Sequence, residues 1–451
     1  MQRESLGSRL GFILISAGCA IGIGNVWKFP YLCGQSGGGI FVLVYLFFLV
    51  ILGLPAMTME FAAGRAAGKS PVMLFRELEP KGTKWHLHGY VCMAGNYLLM
   101  MYYSTVAGWM LQYFYRTAAG SFEGLEADQV AGAFDAGLAN PALQVGCMAI
   151  VVFLGFFVNS RGLQNGLEKV TKIMMIALLV IMVILAVNSV FLPGADKGLS
   201  FYLLPSAERA GEIGIFQVIA NAMNQAFFTL SIGIGSMAIF GSYIGRDQAL
   251  MGESINVIIL DTFVAICSGL IIFPACFAYG VQPDSGPGLI FITLPNIFNH
   301  MKMGRLWGSL FFVFMTFAAF STVLAVFENI MAMCMDQFGW SRKKSGFMNA
   351  IIMFVCSLPC ALGFNIWSSI QPLGQGSTVL DFEDMIVSNY ILPVGAFVFV
   401  MFCTNRYGWG WDRFVEEANE GSGAKVQRWM RPYATYVLPL IVVLVFILGL
   451  I

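Results

Sequence analysis

Long apolar runs separated by short polar connections occupy most of the 451-residue chain. A helix needs about 17–25 apolar residues to cross roughly 30 Å of hydrocarbon. Eleven stretches meet this length, at roughly 10–35, 37–63, 88–116, 141–158, 168–191, 214–242, 251–281, 304–337, 346–363, 385–404 and 434–451. The pattern therefore predicts an all-α integral membrane protein with eleven transmembrane helices.

Two of these apolar runs are interrupted by similar phrases. "GCAIGIGNVWKFP" (Gly18–Pro30) lies in the first run and "TLSIGIGS" (Thr229–Ser236) in the sixth. Clustered glycine weakens a helix by about 1 kcal/mol per residue relative to alanine. Unwound backbone survives in a bilayer only where it is buried in protein or lines a cavity. A lone Gly-x-Gly is more often a close-packing surface, but repetition at a five-span offset favours a transporter site.

The position of the two interruptions also predicts the domain organisation. They begin two successive groups of five spans, and an odd repeat length turns the second group upside down relative to the first. We therefore expect a single transporter domain covering 1–451. It would contain one repeat over about 8–192, an inverted repeat over about 212–404, and an extra helix over about 434–451.

Composition supports the membrane assignment and narrows the partners. Hydrophobic residues make up 58% of the chain and charged residues 11%, whereas soluble domains carry about 25% charged residues. The net charge of zero gives no reason to expect nucleic acid. Ten cysteines lie in or beside apolar runs without metal-ligand spacing, so we interpret them as small hydrophobic fillers.

Basic residues predict the orientation of the chain. With a cytoplasmic N-terminus, 19 of the 25 Lys and Arg residues fall on the inner side, as the positive-inside rule requires. An odd number of spans then leaves the C-terminus outside.

Ionisable residues inside apolar runs are expensive and indicate function. Four stand out: Lys28, Glu60, Asp261 and Asp384. Each could instead be a structural ion pair or an interfacial residue. The segment "FAAFST" adds two adjacent hydroxyls, although Ser and Thr in membrane helices more often bond to their own backbone. A broken helix offers free carbonyls to a cation and free N–H groups to a carboxylate.

The segments that carry these features resemble a known family. "RLGFILISAGCAIGIGNVWKFPYLCGQSGGGIF", "GLPAMTMEFAAGR", "FFTLSIGIGS" and "FAAFSTV" are similar to neurotransmitter:sodium symporters, specifically the bacterial amino-acid transporters. The resemblance runs through all eleven spans. It implies the leucine-transporter fold, with five-plus-five inverted repeats, unwound first and sixth helices, and substrate and sodium near the midplane.

The resemblance implies two sodium ions bound at separate sites. The first sodium site would use, together with the substrate carboxylate, Ala20, Asn25, Thr229 and Asp261. The second would use Gly18, Ile21, Ala318, Ser321 and Thr322. The substrate itself would contact Cys19, Ala20, Gly22, Ile23, Gly24, Leu99, Tyr103, Phe228, Thr229, Ser231, Ile234, Thr322, Val323 and Val326.

Within that pocket the substrate carboxylate would rest on backbone amides near Ile23 and Gly24 and on the Tyr103 hydroxyl, and Phe228 would close over it. Cys19 stands near the substrate amino group, where a polar residue is possible in relatives.

The resemblance also implies two gates and a structural brace. Lys28 with Asp384 would form the outer gate, and Arg3 with Asp336 the inner gate. Glu60 resembles the family's buried Glu that braces unwound backbone.

Two departures from the family pattern bear on these roles. The outer-gate base is usually Arg, and Lys28 lacks its bidentate geometry. Asp261 stands where members commonly have Asn, and Ala265 where chloride-dependent members keep Ser. We therefore expect Asp261 to replace the charge of chloride, which makes transport chloride-independent.

The predicted substrate is a neutral hydrophobic or aromatic amino acid. Monoamine carriers have Asp where this chain has Gly22, which leaves room for a carboxylate. A ligand-gated channel would need a continuous polar pore, and an enzyme would need a catalytic constellation, which the sequence lacks. The nearest alternative is a proton-coupled or uniporting carrier of the same fold. We expect the bacterial inner membrane as location, the lipid bilayer and the amino acid as partners, and a monomer or weak dimer.

Overall fold

In a computed structural model, the structure describes residues 4–281 and 288–448. These residues form helices and connections, with one isolated bridge between Gln248 and Ser422 and no strand in the described ranges. The helices of the first half are α1 Arg9–Ala20, α2 Gly24–Gln35, α3 Gly39–Ala67, α4 Pro71–Leu78, α5 His86–Ala118, α6 Ala127–Leu138, α7 Pro141–Ser160 and α8 Leu163–Val190.

The second half begins with two short connecting helices. Its helices in order are α9 Ala195–Leu203, α10 Ala207–Ile213, α11 Ile215–Thr229, α12 Ser236–Gly241, α13 Leu250–Ala278, α14 Leu294–His300, α15 Gly304–Phe338, α16 Arg342–Leu362, α17 Val379–Thr404, α18 Trp411–Ala418 and α19 Met430–Leu448. Each predicted apolar stretch therefore contains a helix or a pair of helices.

Eight of the described helices are long and apolar enough to cross a membrane, and nine spans result if α1 and α2 are counted as one. α1 and α2 are bent by 55° at their junction. The two remaining predicted spans are the 33-residue helix α5 and the interrupted pair α11–α12. All-helical architecture is confirmed, whereas eleven crossings and inverted repeats stay predictions.

Both glycine-containing phrases coincide with breaks in the helices. α1 ends at Ala20, and Ile21 takes an extended conformation. The helix then resumes with a wide π-helical turn over Gly24–Lys28. Between α11 and α12, Gly233 and Gly235 have φ of 105° and 73°, which glycine adopts without steric cost. A Cβ on Gly233 would lie 2.1 Å from the Leu392 carbonyl oxygen, so the unwound backbone packs directly on α17.

The two breaks lie beside α15, the most buried of the long apolar helices in the described residues. α15 packs against α5, α8 and α1, and its residues from Ser321 to Cys334 are buried. α1 also packs against α13 and α8. The break in α1–α2 is thus enclosed by helices that are distant in sequence, which is where unwound backbone is tolerated.

Candidate functional site

The first polar cluster surrounds the carboxylate of Asp261 on α13. Asn25 donates from Nδ2 to Oδ1 over 2.8 Å, and the Thr229 hydroxyl donates over 3.1 Å to Oδ2. The Tyr45 hydroxyl lies 3.5 Å from Oδ2. All four side chains are buried, and no Lys or Arg of the described chain pairs with Asp261. A buried carboxylate without a basic partner calls for a cation or a proton.

This cluster unites three of the four residues predicted for the first sodium site. Ala20, the fourth, lines the adjoining central cavity. The Gly22 N–H donates to Asn25 Oδ1 over 3.2 Å, so Asn25 also holds the broken backbone of the first helix.

A second cluster brings five oxygens together, and we call it the five-oxygen site. It comprises the carbonyls of Gly18, Ile21 and Ala318 with the hydroxyls of Ser321 and Thr322. Each hydroxyl lies 2.9–3.5 Å from all three carbonyl oxygens. Every predicted ligand of the second sodium site is therefore brought together by α1 and α15.

The spacing of the five-oxygen site fits a small hard cation. Oxygen ligands of Ca²⁺, an ion similar in radius to Na⁺, lie about 2.3–2.6 Å from the metal, so two ligands at right angles lie about 3.4 Å apart. The six hydroxyl–carbonyl oxygen distances, 2.9–3.5 Å, span a range that includes this value. Two hydroxyls can also rotate their hydrogens away when an ion arrives.

A small central cavity lies between the two clusters. Its lining consists of Cys19, Ala20, Gly22, Gly24, Leu99, Tyr103, Phe228, Thr229, Ser231, Ile234, Thr322 and Leu392. Eleven of these were predicted, and Leu392 was not. Three other predicted contact residues do not line it: Ile23, and the fully buried Val323 and Val326. Val323 follows Thr322 by one residue, about 100° around α15, and packs towards Gly155 on α7.

The cavity offers hydrogen-bonding groups from both breaks. The Ile23 N–H donates to the Tyr103 hydroxyl over 3.0 Å, and the Ser231 hydroxyl donates to the Cys19 carbonyl over 3.2 Å. Ser231 has φ of 51°, a left-handed conformation that is costly for a non-glycine residue and typical of functional sites. These groups suit a ligand with one acidic and one basic end.

Glycine is required where the first break faces the cavity. A Cβ on Gly22 would lie 2.4 Å from the Tyr103 hydroxyl oxygen and 2.7 Å from the Thr322 hydroxyl oxygen. A Cβ on Gly24 would lie 2.9 Å from the Phe228 ring. Side chains at these positions would fill the space next to the backbone amides.

The predicted outer-gate residues meet above the cavity. Lys28 Nζ lies 4.0 Å from Asp384 Oδ2 and 3.9 Å from the centre of the Phe228 ring. Asp384 also accepts from the Tyr102 hydroxyl over 2.9 Å and from the Ser388 hydroxyl over 2.8 Å. A vestibule of about 140 Å³, lined in part by Lys28 and Phe228, adjoins this pair.

Two buried side chains hold the unwound segment between α11 and α12. Glu60 accepts from the Gly233 N–H over 2.5 Å. Asn96 donates to the Ile234 carbonyl over 2.9 Å and accepts from Asn329 over 2.8 Å. Glu60 thus lies where a brace was predicted, whereas the Asn96–Asn329 pair was not anticipated.

The end of the protein where Glu4 lies carries a buried ion pair that sequence reasoning missed. Arg342 donates two hydrogen bonds to the buried Glu328, at 2.7 and 2.8 Å, and the Tyr243 hydroxyl donates to the same carboxylate. Glu328 interrupts an apolar run, which is a signal that the sequence offered. Of the predicted inner gate, Arg3 lies outside the described residues, and Asp336 accepts from the Ser70 N–H over 2.7 Å.

Comparisons with known proteins agree with this geometry. A family model described as the sodium:neurotransmitter symporter family matches residues 3–124 and 132–451. An uncharacterised sodium-dependent transporter of Bacillus subtilis, YhdH, is 31% identical over 98% of this chain and 96% of its own. One from Methanocaldococcus jannaschii is 30% identical over 98% and 89%. A crystal structure of MhsT with L-phenylalanine superposes with a TM-score of 0.88 at 34% identity, covering 99% of this chain and 100% of MhsT.

Proposed function

The chain belongs to the sodium:neurotransmitter symporter family, whose members are membrane transporters and not enzymes, and from this premise we propose that it imports a neutral hydrophobic or aromatic amino acid together with sodium. The single observation that carries the sodium coupling is the five-oxygen site. It is built from the broken end of α1 and from α15, so an ion bound there ties the two helices together.

We assign a second ion to the cluster of Asn25, Thr229 and Asp261. This cluster adjoins the cavity that Tyr103 lines, and the Ile23 amide donates to the Tyr103 hydroxyl. A substrate carboxylate on these groups completes the coordination of the ion. Bound sodium therefore raises the affinity for the amino acid, and bound amino acid raises the affinity for sodium. Mutual reinforcement of this kind is the thermodynamic basis of symport.

Chloride independence follows from the charge of Asp261. Its carboxylate is fully buried and already supplies the negative charge that balances a monovalent cation. Ala265, one helical turn later, offers no hydroxyl to a chloride ion. Transport therefore proceeds at full rate when chloride is replaced by an impermeant anion.

The apolar cavity wall favours a hydrophobic side chain. Leu99, Phe228, Ile234 and Leu392 line the cavity, and no Lys, Arg, Asp or Glu of the described chain does. MhsT, which shares the fold at 34% identity, has been solved with L-phenylalanine. We therefore rank phenylalanine and other large neutral amino acids first.

Alternating access requires that the two sides open in turn. The Lys28–Asp384 pair with Phe228 separates the cavity from the outer vestibule, and the Arg342–Glu328 pair closes the inner side. The chain lies in the membrane with its N-terminus in the cytoplasm. Release of the inner contacts exposes the five-oxygen site and then the amino acid to the cytosol.

A binding screen tests this proposal. Purified protein is titrated with each of the twenty amino acids in NaCl and in KCl. We expect binding of large neutral amino acids in NaCl, with an affinity that falls by at least about fivefold in KCl, as a coupling of about 1–3 kcal/mol requires. Equal affinities in both salts would favour the proton-coupled or uniporting alternative.

A further inference from the structure

A buried carboxylate at the cytosolic end of α8 has no role in the site described above. Glu168 is 6% exposed, and no basic side chain of residues 4–281 and 288–448 pairs with it. Instead, Oε2 accepts from the Gly7 N–H over 2.7 Å and Oε1 accepts from the Ser8 hydroxyl over 2.8 Å. Both donors precede α1, about 160 residues away in the sequence.

The Ser8 hydroxyl is fully used in this arrangement. It accepts from the Gly11 N–H over 3.0 Å, which caps α1, and from Lys172 Nζ over 3.2 Å. A hydroxyl has one hydrogen and two lone pairs, so its hydrogen is left for Glu168. The carboxylate also lies at the N-terminal end of a 12-residue helix, where negative charge is favoured.

Glycine clears the space that the carboxylate occupies. A Cβ on Gly11 would lie 2.1 Å from Glu168 Oε1 and 2.5 Å from Cδ. A Cβ on Gly7 would lie 3.4 Å from Oε2. The absence of a side chain at Gly11 therefore allows Glu168 to lie against the backbone of α1.

The contact continues along α8 to the five-oxygen site. Glu168, Lys172 and Met175 lie three to four residues apart on one face of α8. A Cβ on Gly18 would lie 3.3 Å from Met175 and from Thr171. α1 therefore rests on α8 from its capped end to the residue whose carbonyl belongs to the five-oxygen site.

We propose that Glu168 is a positioning residue that latches α1 to α8 and keeps the five-oxygen site closed towards the cytosol. This inference rests on the proposed function, because it assigns the latch to the sodium-bound state. Movement of α1 away from α8 must first break the bonds to Gly7 and Ser8. α1 is also held by an ion pair, Arg9 with Glu253 on α13, whose arginine is half-exposed and which is therefore the weaker restraint.

Hydrogen–deuterium exchange of α1 tests the latch without requiring transport. Peptides covering residues 7–20 are compared in wild type, Glu168→Gln and Glu168→Asp, in NaCl and in KCl. We expect exchange roughly tenfold faster in Glu168→Gln, because charge-assisted bonds to the carboxylate are lost. Glu168→Asp keeps the charge on a shorter side chain, so its exchange rate is expected to lie between those of wild type and Glu168→Gln. The exposed residue Glu416, changed to Gln, is the matched control and leaves α1 unchanged.

A double-mutant cycle tests whether Gly11 is needed to make room for Glu168. Gly11→Ala is expected to speed exchange of α1 in the wild-type background and to add nothing in the Glu168→Ala background, since the clash is with Glu168. Gly146→Ala is the control, because a Cβ there meets open space.

Unchanged exchange in Glu168→Gln, or an equal effect of Gly11→Ala in both backgrounds, would overturn the latch. Identical wild-type exchange in NaCl and KCl would instead count against sodium binding, while the comparison of variants in NaCl still decides the latch. Where Glu168→Gln fails to fold, the Glu168→Asp comparison decides.

Discussion

The hydroxyl of Ser321 offers a sharp test of the five-oxygen site. It lies 3.1 Å from the Gly18 carbonyl oxygen and 2.9 Å from the Ala318 carbonyl oxygen, and it does not line the central cavity. Ser321→Ala therefore removes one of five candidate sodium ligands without touching the amino acid. The side chain is fully buried, so no water from bulk solvent replaces the lost oxygen.

The size of the effect follows from the loss of one contact with a charged group. Such a contact is worth about 1.5–3 kcal/mol, and each 1.4 kcal/mol is about tenfold in affinity. Half-saturation by sodium should therefore rise by about 10- to 150-fold. The amino-acid affinity at saturating sodium should stay within about twofold, because the cavity is unchanged.

The assay is a sodium titration of amino-acid binding, with Ser268→Ala as the matched control. Ser268 is also fully buried, but its hydroxyl donates only to the Val264 carbonyl of its own helix. Both changes remove one hydroxyl and should cost similar stability in KCl. If Ser321→Ala titrates with sodium like Ser268→Ala, the five-oxygen site is not a sodium site.

Three further predictions concern the cavity and its gate. Tyr103→Phe removes the hydroxyl that accepts from the Ile23 N–H and should weaken amino-acid binding about tenfold. Tyr113→Phe is the control and should leave binding unchanged, because its buried hydroxyl has no hydrogen-bond partner among the described residues. Equal affinities of the two variants would contradict the carboxylate role of Tyr103. Gly22→Ala places a Cβ 2.4 Å from the Tyr103 hydroxyl oxygen and should abolish saturable amino-acid binding. A folded variant that binds with wild-type affinity would contradict the position of Gly22 beside the amino acid. Asp384→Asn removes the charge opposite Lys28 and should speed amino-acid dissociation to the outside several-fold in stopped-flow experiments. The effect should be larger at low than at high ionic strength. A dissociation rate that changes neither with the substitution nor with ionic strength would argue against the outer gate.

Much of the fold could be predicted because hydrocarbon thickness fixes the length of apolar runs. The eleven stretches agree with the helix bounds to within a few residues, as α15 and the predicted run 304–337 illustrate. The breaks were predictable because glycine clusters weaken helices. The family resemblance read from the first-helix motif is confirmed by the family match. The short helices α4, α6, α9, α10, α14 and α18 were missed, because hydrocarbon thickness predicts only helices long enough to cross the membrane.

The candidate site was harder to predict because it depends on contacts between distant residues. Ser321 meets the Gly18 carbonyl across 303 positions, a contact that no local pattern shows and only the resemblance implied. The direction of Val323, away from the cavity, depends on the rotation of α15. Glu168 was not singled out, because a single charge at the start of an apolar run is usually interfacial.

The most direct test of the central claim is uptake by purified protein in liposomes with an imposed inward sodium gradient. At zero membrane potential, we expect a labelled large neutral amino acid to accumulate above its outside concentration, and the accumulation to persist when gluconate replaces chloride. Dissipation of the sodium gradient should release it. Equilibration without accumulation, or accumulation driven by a proton gradient alone, would contradict sodium-coupled symport.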